Sequence, residues 1–169
     1  MQRDGGAKGR EYRPDPMNTP SDALAALGLT LPPAPKPVAA YVPFSRVGDL
    51  VFVSGQLPMR DGALIATGPV PSSTTPEAAK AAAQQCALNA LAVAADAAGG
   101  LDRIAQVVRL GVFVQSDPAF TGQPAVANGA SELMLSVFGE AGRHARAAVG
   151  SVALPLGATV EVEVIVRVA

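Results

Sequence analysis

The sequence predicts an α+β fold in which a single mixed β-sheet carries two helices packed on one face. Its 169 residues are the size of one domain, which is enough to bury a substantial core. Two long helix patterns lie among segments with strand patterns, in the order β-β-β-α-β-α-β-β. The last strand segment has valine at every second position (Val160, Val162, Val164, Val166 and Val168). That row of valines must face the helices.

The chain is expected to divide into three parts. Residues 1–16 combine many glycines and prolines with few apolar side chains, which predicts a flexible tail. Residues 17–37 form a lead-in with a short helix at 22–27, N-capped by Ser21, and a proline-rich extended connection. The main domain is expected to span 38–169.

The first strands precede the first long helix. Segment 41–44 and the apolar run 50–53 form a hairpin around Gly48. An Asp-Gly pair then predicts a tight turn before a short third strand at 64–65.

Two helices and three further strands complete the predicted sheet. Thr75 is a good N-cap, Pro76 suits the first helical position, and an alanine-rich body runs to Gly99, which ends the first helix. The second helix is expected at 124–138. The strands after these helices are expected at 104–114, 146–152 and 159–168.

Apolar residues are also expected on the sheet face away from the helices. Phe52, Phe113 and Ile165 fall there by strand alternation. Because apolar side chains on an open face usually mark an interaction surface, self-association is the simplest expectation.

The composition of the chain argues against several classes of function. A net charge of -1 and no stripe of basic residues give no indication of binding to nucleic acid or to an anionic membrane. The most apolar long stretch is interrupted by polar side chains, and no secretory signal is evident. With one cysteine, neither an intramolecular disulfide nor a cysteine metal cluster is available. A cytoplasmic protein with no metal site built from cysteines is therefore expected.

The lone cysteine and the lone histidine are both interpreted as structural. Cys86 lies inside an apolar helix, where a thiol packs as an inert core group. His144 lies beside Arg143 and Arg146 and is interpreted as a loop residue rather than a general base.

Three features of the sequence are candidates for a role in binding or catalysis. Arg146 opens a strand of small residues, where a guanidinium can grip a planar carboxylate, although a surface ion pair is the common alternative. Glu161 lies on the non-valine face of the last strand and can orient or deprotonate a water if a second subunit covers it; otherwise it is simply solvated. Gly55, after Ser54, lets a backbone group approach a ligand.

These features occur together in one known family. The matching segments, in order and spacing, are 41–42, LVFVSGQLP at 50–58, 85–89, 112–114, ARAAV at 145–149, 154–155 and VEVE at 160–163. Over about 38–169 the chain resembles the RidA family, also called YjgF, whose members are reactive-intermediate deaminases. The resemblance implies a chorismate-mutase-like homotrimer in which three sheets close into a barrel, with helices outside and active clefts between subunits.

The resemblance also implies a reaction and its residues. Enamine or imine intermediates such as 2-aminoacrylate would be hydrolysed to 2-keto acids and ammonia without a cofactor. Arg146 would bind the substrate carboxylate, and Glu161 would position the hydrolytic water. The other residues implied to contact the substrate are Tyr41, Ser54, Gly55 and Asn128, the last from a neighbouring subunit.

Two departures from the family pattern keep alternatives open. Ala147 and Ala148 stand where many of the family's deaminases have Ser and Cys, and His144 replaces a usual proline. A non-catalytic trimeric binder of small carboxylates, or a chaperone-like module, is therefore the second hypothesis. An endoribonuclease is the third, and the net charge of -1 and the low aromatic content argue against it.

Overall fold

Three helices and seven strands make up the part of the chain that the computed structural model describes, residues 19–34 and 41–169. The predicted tail at 1–16 and the end of the proline-rich connection lie outside those residues. The elements are α1 (Pro20–Ala26), β1 (Phe44–Val47), β2 (Leu50–Gln56), β3 (Met59–Arg60), β4 (Ala63–Leu64), α2 (Pro76–Ala98), β5 (Ile104–Gln115), α3 (Gln123–Phe138), β6 (Ala145–Ser151) and β7 (Val160–Val168).

Five of the strands form one mixed sheet in the order β1-β2-β7-β5-β6. All neighbours are antiparallel except β5 and β6, which are parallel. The prediction that a third strand before α2 joins this sheet is wrong. Residues on either side of the Asp61-Gly62 turn form only the short separate hairpin β3–β4. Two residues a side are too few to extend the sheet.

The valine row of β7 faces the helices, as predicted. Every one of these valines is at most 3% exposed. Helix α2 packs across β7 and β2, and α3 packs on α2 and on the β5–β6 side. The largest fully buried side chains include Phe138, Leu91 and Met134, which the two helices contribute to this core.

The opposite sheet face carries the predicted apolar side chains. Phe52 pairs with Ile165 across β2 and β7, and Phe113 pairs with Glu161 across β5 and β7. Phe52 remains 40% exposed in the single chain. This face therefore presents apolar surface that no helix covers within the described residues.

The lead-in helix α1 begins earlier than predicted. Thr19, not Ser21, is the N-cap, and it forms a capping box with Asp22. The Ser21 backbone N–H instead donates to Asp102 Oδ1 at 2.8 Å, and Leu24 is buried. Helix α1 thus packs on the main domain beside α3.

Cys86 is a core residue, as predicted. Its side chain is fully buried, and its thiol donates to the Val160 carbonyl at 3.5 Å. Burial raises the pKa of the Cys86 thiol well above its usual range, and the negative charge of Glu161 adds to the effect. The protonated thiol is a poor nucleophile.

Asn89 fixes the segment that follows Gly55. The buried Asn89 amide donates to the Leu57 and Met59 carbonyls, both at 2.9 Å, and accepts from Gln85 Nε2. A single side chain on α2 therefore holds the chain where it leaves β2.

None of the described helices is long and apolar enough to cross a membrane.

Replacing Asn89 with Ala should lower the free energy of unfolding by about 1 to 3 kcal/mol, because it leaves two backbone carbonyls without their donor. Urea unfolding followed by circular dichroism, at one protein concentration, measures this. The exposed Gln84 on the same helix is the control, and Gln84→Ala should change stability by less than about 0.5 kcal/mol. An Asn89→Ala protein as stable as the control would contradict the role of this amide.

Candidate functional site

The six site residues predicted from sequence fall into two groups in the structure. Tyr41, Ser54, Gly55 and Glu161 lie around β2 and β7, and we call them the β2 group. Asn128 and Arg146 lie together on α3 and β6, and with their neighbours Ser131 and His144 they form the β6 group.

Ser54, on β2, forms hydrogen bonds with the two residues that lie just before β1. Its hydroxyl donates to the Val42 carbonyl at 2.8 Å, and its N–H donates to the Pro43 carbonyl. Tyr41, Phe52 and Ser54 line a shallow cavity of about 400 Å³ at this sheet edge. The strand predicted to begin at Tyr41 begins instead at Phe44, so the Tyr41 ring, 58% exposed, belongs to the rim of this cavity.

Gly55 makes room for the Glu161 carboxylate. The pairing of β2 with β7 is irregular between Val53 and Gln56, and Gly55 lies in that interval. A Cβ on Gly55 would overlap Glu161 Oε1. The role expected for Gly55 was a close backbone approach to a ligand, and the group it accommodates within this chain is the carboxylate of Glu161.

Glu161 has a perturbed carboxyl group. Desolvation raises its pKa above the ordinary value, and the neighbouring negative charge of Glu163 raises it further. Glu163 itself pairs with Arg109 Nη1 at 2.7 Å, whereas Glu161 takes part in none of the ion pairs among residues 19–34 and 41–169. Such a carboxyl is suited to exchange a proton with a bound water.

Arg146 is held by neutral acceptors. Its Nη1 donates to Asn128 Oδ1 at 2.9 Å and to Ser131 Oγ at 3.1 Å. Over the described ranges, no carboxylate pairs with Arg146 and no acceptor binds its Nε or Nη2. The surface ion pair weighed as the alternative is therefore absent from this part of the chain, and three N–H donors of an exposed guanidinium remain available.

Asn128 contacts Arg146 within the same chain, and the substrate contact from a neighbouring subunit that the resemblance implied stays a prediction. Helix α3 packs beside β6, which brings the two side chains together. His144 lies in a loop before β6, as predicted, and its ring bridges the Gly142 carbonyl and Ser131. Ser131 was not predicted, although its position three residues after Asn128 on one helix face is a usable signal.

The side chains of Arg146 and Glu161 project from opposite faces of the sheet. Arg146 pairs with Leu110, which pairs with Val164 in the buried valine row, so its side chain leaves on the helix side. Glu161 pairs with Phe113 on the open side. Within one chain, the β2 group and the β6 group do not share a cleft.

Known proteins and structures match the chain over most of its length. A family model described as "YjgF/chorismate_mutase-like, putative endoribonuclease" matches residues 21–167. Protein TCP17 of Trypanosoma cruzi is 50% identical over 145 residues, which cover 85% of this chain and 91% of that protein. A 2-iminobutanoate/2-iminopropanoate deaminase of Dermatophagoides farinae is 32% identical over 140 residues, which cover 82% of this chain and 93% of the relative.

A solved structure supports the same relationship. The crystal structure of the protein Atu1372 from Agrobacterium tumefaciens, of unknown function, is 47% identical and superimposes with a TM-score of 0.82, covering 89% of this chain and 92% of that one. The mixed sheet with helices on one face is also the architecture expected of a chorismate-mutase-like protein. The chain therefore belongs to the YjgF family, also known as the RidA family.

Proposed function

We propose that the protein hydrolyses small enamine or imine carboxylates to 2-keto acids and ammonia. The observation that carries the proposal is that no carboxylate among residues 19–34 and 41–169 pairs with the Arg146 guanidinium. Its guanidinium is exposed and held by neutral acceptors on one nitrogen, and its Nε–Nη2 edge has the fork geometry that matches a carboxylate. The relative named as a 2-iminobutanoate/2-iminopropanoate deaminase supports the choice of reaction.

The proposed reaction requires a residue that positions the substrate and a residue that accepts a proton from water. Arg146 holds the substrate carboxylate and so places the C=N carbon of the imine. Glu161, as the carboxylate, takes a proton from water while the water oxygen bonds to that carbon. The same proton then passes to the nitrogen and gives a carbinolamine. Glu161 next takes the hydroxyl proton as the C=O bond forms and delivers it to the nitrogen, the C–N bond breaks, and ammonia leaves the 2-keto acid. Acid–base help of this kind contributes about 10² to 10⁴-fold.

Two subunits are needed to complete the proposed site. Arg146 belongs to the edge strand β6 and Glu161 to the opposite face near β2, so a head-to-tail contact between copies would bring a β6 group to a β2 group. Repeated contacts of this kind close into a ring, and we propose the trimer of the family. Exposed apolar side chains on or next to the two edge strands support such a contact: Val47, Phe52, Val149 and Val152.

One observation favours a second candidate, a trimeric carboxylate binder without catalysis. The residues after Arg146 are Ala147, on the opposite sheet face, and Ala148, which packs against the core, so neither adds a polar side chain beside the guanidinium. Binding then needs only Arg146. An assay in which a PLP lyase generates 2-aminoacrylate separates the two candidates: a deaminase accelerates pyruvate release above the rate without protein, and a binder does not.

Arg146→Ala should abolish both catalysis and pyruvate binding, because loss of a bidentate charged contact costs on the order of 3 kcal/mol. Arg146→Lys should recover only a small part, since a single ammonium cannot replace the fork. Calorimetric titration of pyruvate and the coupled assay measure both effects. Arg143→Ala is the control, because Arg143 is also exposed and, among residues 19–34 and 41–169, pairs with Glu140 alone. Equal pyruvate affinity in Arg146→Ala and Arg143→Ala would remove Arg146 from the site.

The rate should fall on acidification through the raised pKa of Glu161, because the proton acceptor is its ionised form. Glu163→Gln removes a negative neighbour and frees Arg109, and both changes lower the pKa of Glu161. The acidic limb of the pH–rate profile should therefore move to lower pH in Glu163→Gln, after subtraction of the uncatalysed rate. Glu161→Gln should be inactive at every pH. An unmoved limb in Glu163→Gln would exclude Glu161 as the acceptor.

Light scattering at micromolar concentration should give a mass about three times that of the 17.0 kDa chain. Mixed assembly tests the shared site directly. Arg146→Ala and Glu161→Gln chains, each inactive alone, should recover activity when co-expressed, because about a quarter of the contacts then join an intact Arg146 to an intact Glu161. A stable monomer, or no recovery in mixed trimers, would rule out a site shared between subunits.

A further inference from the structure

Three hydrogen-bonded steps connect a backbone carbonyl to the Arg146 guanidinium. The Gly142 carbonyl lies 2.6 Å from His144 Nδ1, and His144 Nε2 lies 3.0 Å from Ser131 Oγ. Ser131 Oγ in turn accepts from Arg146 Nη1 at 3.1 Å. His144 and Ser131 are both partly buried, whereas Arg146 is exposed at the end of the series.

The first step fixes the direction of the others. A carbonyl can only accept, so in the imidazole tautomer that this contact selects the ring hydrogen lies on Nδ1. Nε2 is then an acceptor, and the Ser131 hydroxyl donates to it. Because that hydroxyl hydrogen points at His144, an oxygen lone pair of Ser131 faces Arg146.

The consequence is that both hydrogens of Nη1 are engaged. Asn128 Oδ1 takes one and Ser131 Oγ takes the other, which fixes the plane of the guanidinium. We infer that Ser131 and His144 are positioning residues that hold Arg146 with its Nε–Nη2 edge turned to a small 2-oxo or 2-imino carboxylate. This inference rests on the proposed function, since it specifies how the carboxylate site is oriented.

The absence of negative charge on all three holders matters for a carboxylate ligand. Asn128, Ser131 and His144 orient the guanidinium without cancelling its charge, so the attraction for an anion is retained. Asn128 alone leaves the second Nη1 hydrogen unpaired. Without His144, the Ser131 hydroxyl can turn its hydrogen toward Arg146 and lose the bond. Ser131 should therefore matter more than His144.

Pyruvate titration measures the effect of each holder. Ser131→Ala should weaken binding about tenfold, and His144→Phe, which keeps a ring but no acceptor, about threefold. Ser131→Thr retains a hydroxyl on the same helix and should bind within about twofold of the wild type. Ser136→Ala, an exposed position on α3, is the control and should not change affinity. Wild-type affinity in Ser131→Ala would overturn the inference.

A second readout needs no ligand. In ¹⁵N spectra of the full chain, the Arg146 Nη1 hydrogens should be resolved and protected from exchange, with the assignment made by their absence in Arg146→Lys. They should be lost in Ser131→Ala and kept in Ser131→Thr. If the wild type does not bind pyruvate but these signals behave as described, the proposed function fails and the positioning stands. If the signals are absent, or unchanged in Ser131→Ala, the positioning role is overturned whatever the ligand does.

Discussion

The two-residue period of β7 is the constraint on which the rest of the structure depends. Its valines fill the space under α2, and burying each one contributes about 1.5 kcal/mol or more. A slip by one residue would move the whole row into solvent and put Glu161 and Glu163 in the core. The core therefore fixes the side of the sheet on which the carboxylates lie. Gly55 and Gly111 follow from this, because a Cβ at either position would overlap one of those carboxylates.

Elements governed by local pattern were predictable from the sequence. Helix α2 begins at the Thr75 cap and ends at Gly99, where φ is +80°, because capping and left-handed glycine geometry are properties of a few adjacent residues. The cap of α1 was assigned wrongly because Thr19, followed by Pro20 at the first helical position and Asp22 at N3, is the stronger local signal for a helix start. The Ser21 backbone N–H, by contrast, takes part in a contact with Asp102 that local preference does not reveal.

The candidate site residues could be named from the sequence, but the way this chain arranges them could not. Family resemblance singled out Arg146 and Glu161, whose side chains leave opposite faces of the sheet, as the strand register shows. The holders Ser131 and His144 come from α3 and from the residue before β6, so their meeting depends on how closely that helix packs beside an edge strand. No periodicity in either segment encodes that distance. The missed residues are therefore those whose role arises from tertiary approach.

Two arginines show how the same side chain is used in different ways. Arg109 on β5 lies on the open face and reaches Glu163 on β7, so its charge is neutralised within the chain by a half-exposed carboxylate. Arg146 begins on the other face of the neighbouring strand β6, where α3 offers an amide and a hydroxyl but no carboxylate. An arginine of the first kind stabilises a sheet face, and such a pair contributes about 0 to 1 kcal/mol. An arginine of the second kind adds little to folding, because no carboxylate among residues 19–34 and 41–169 pairs with its charge.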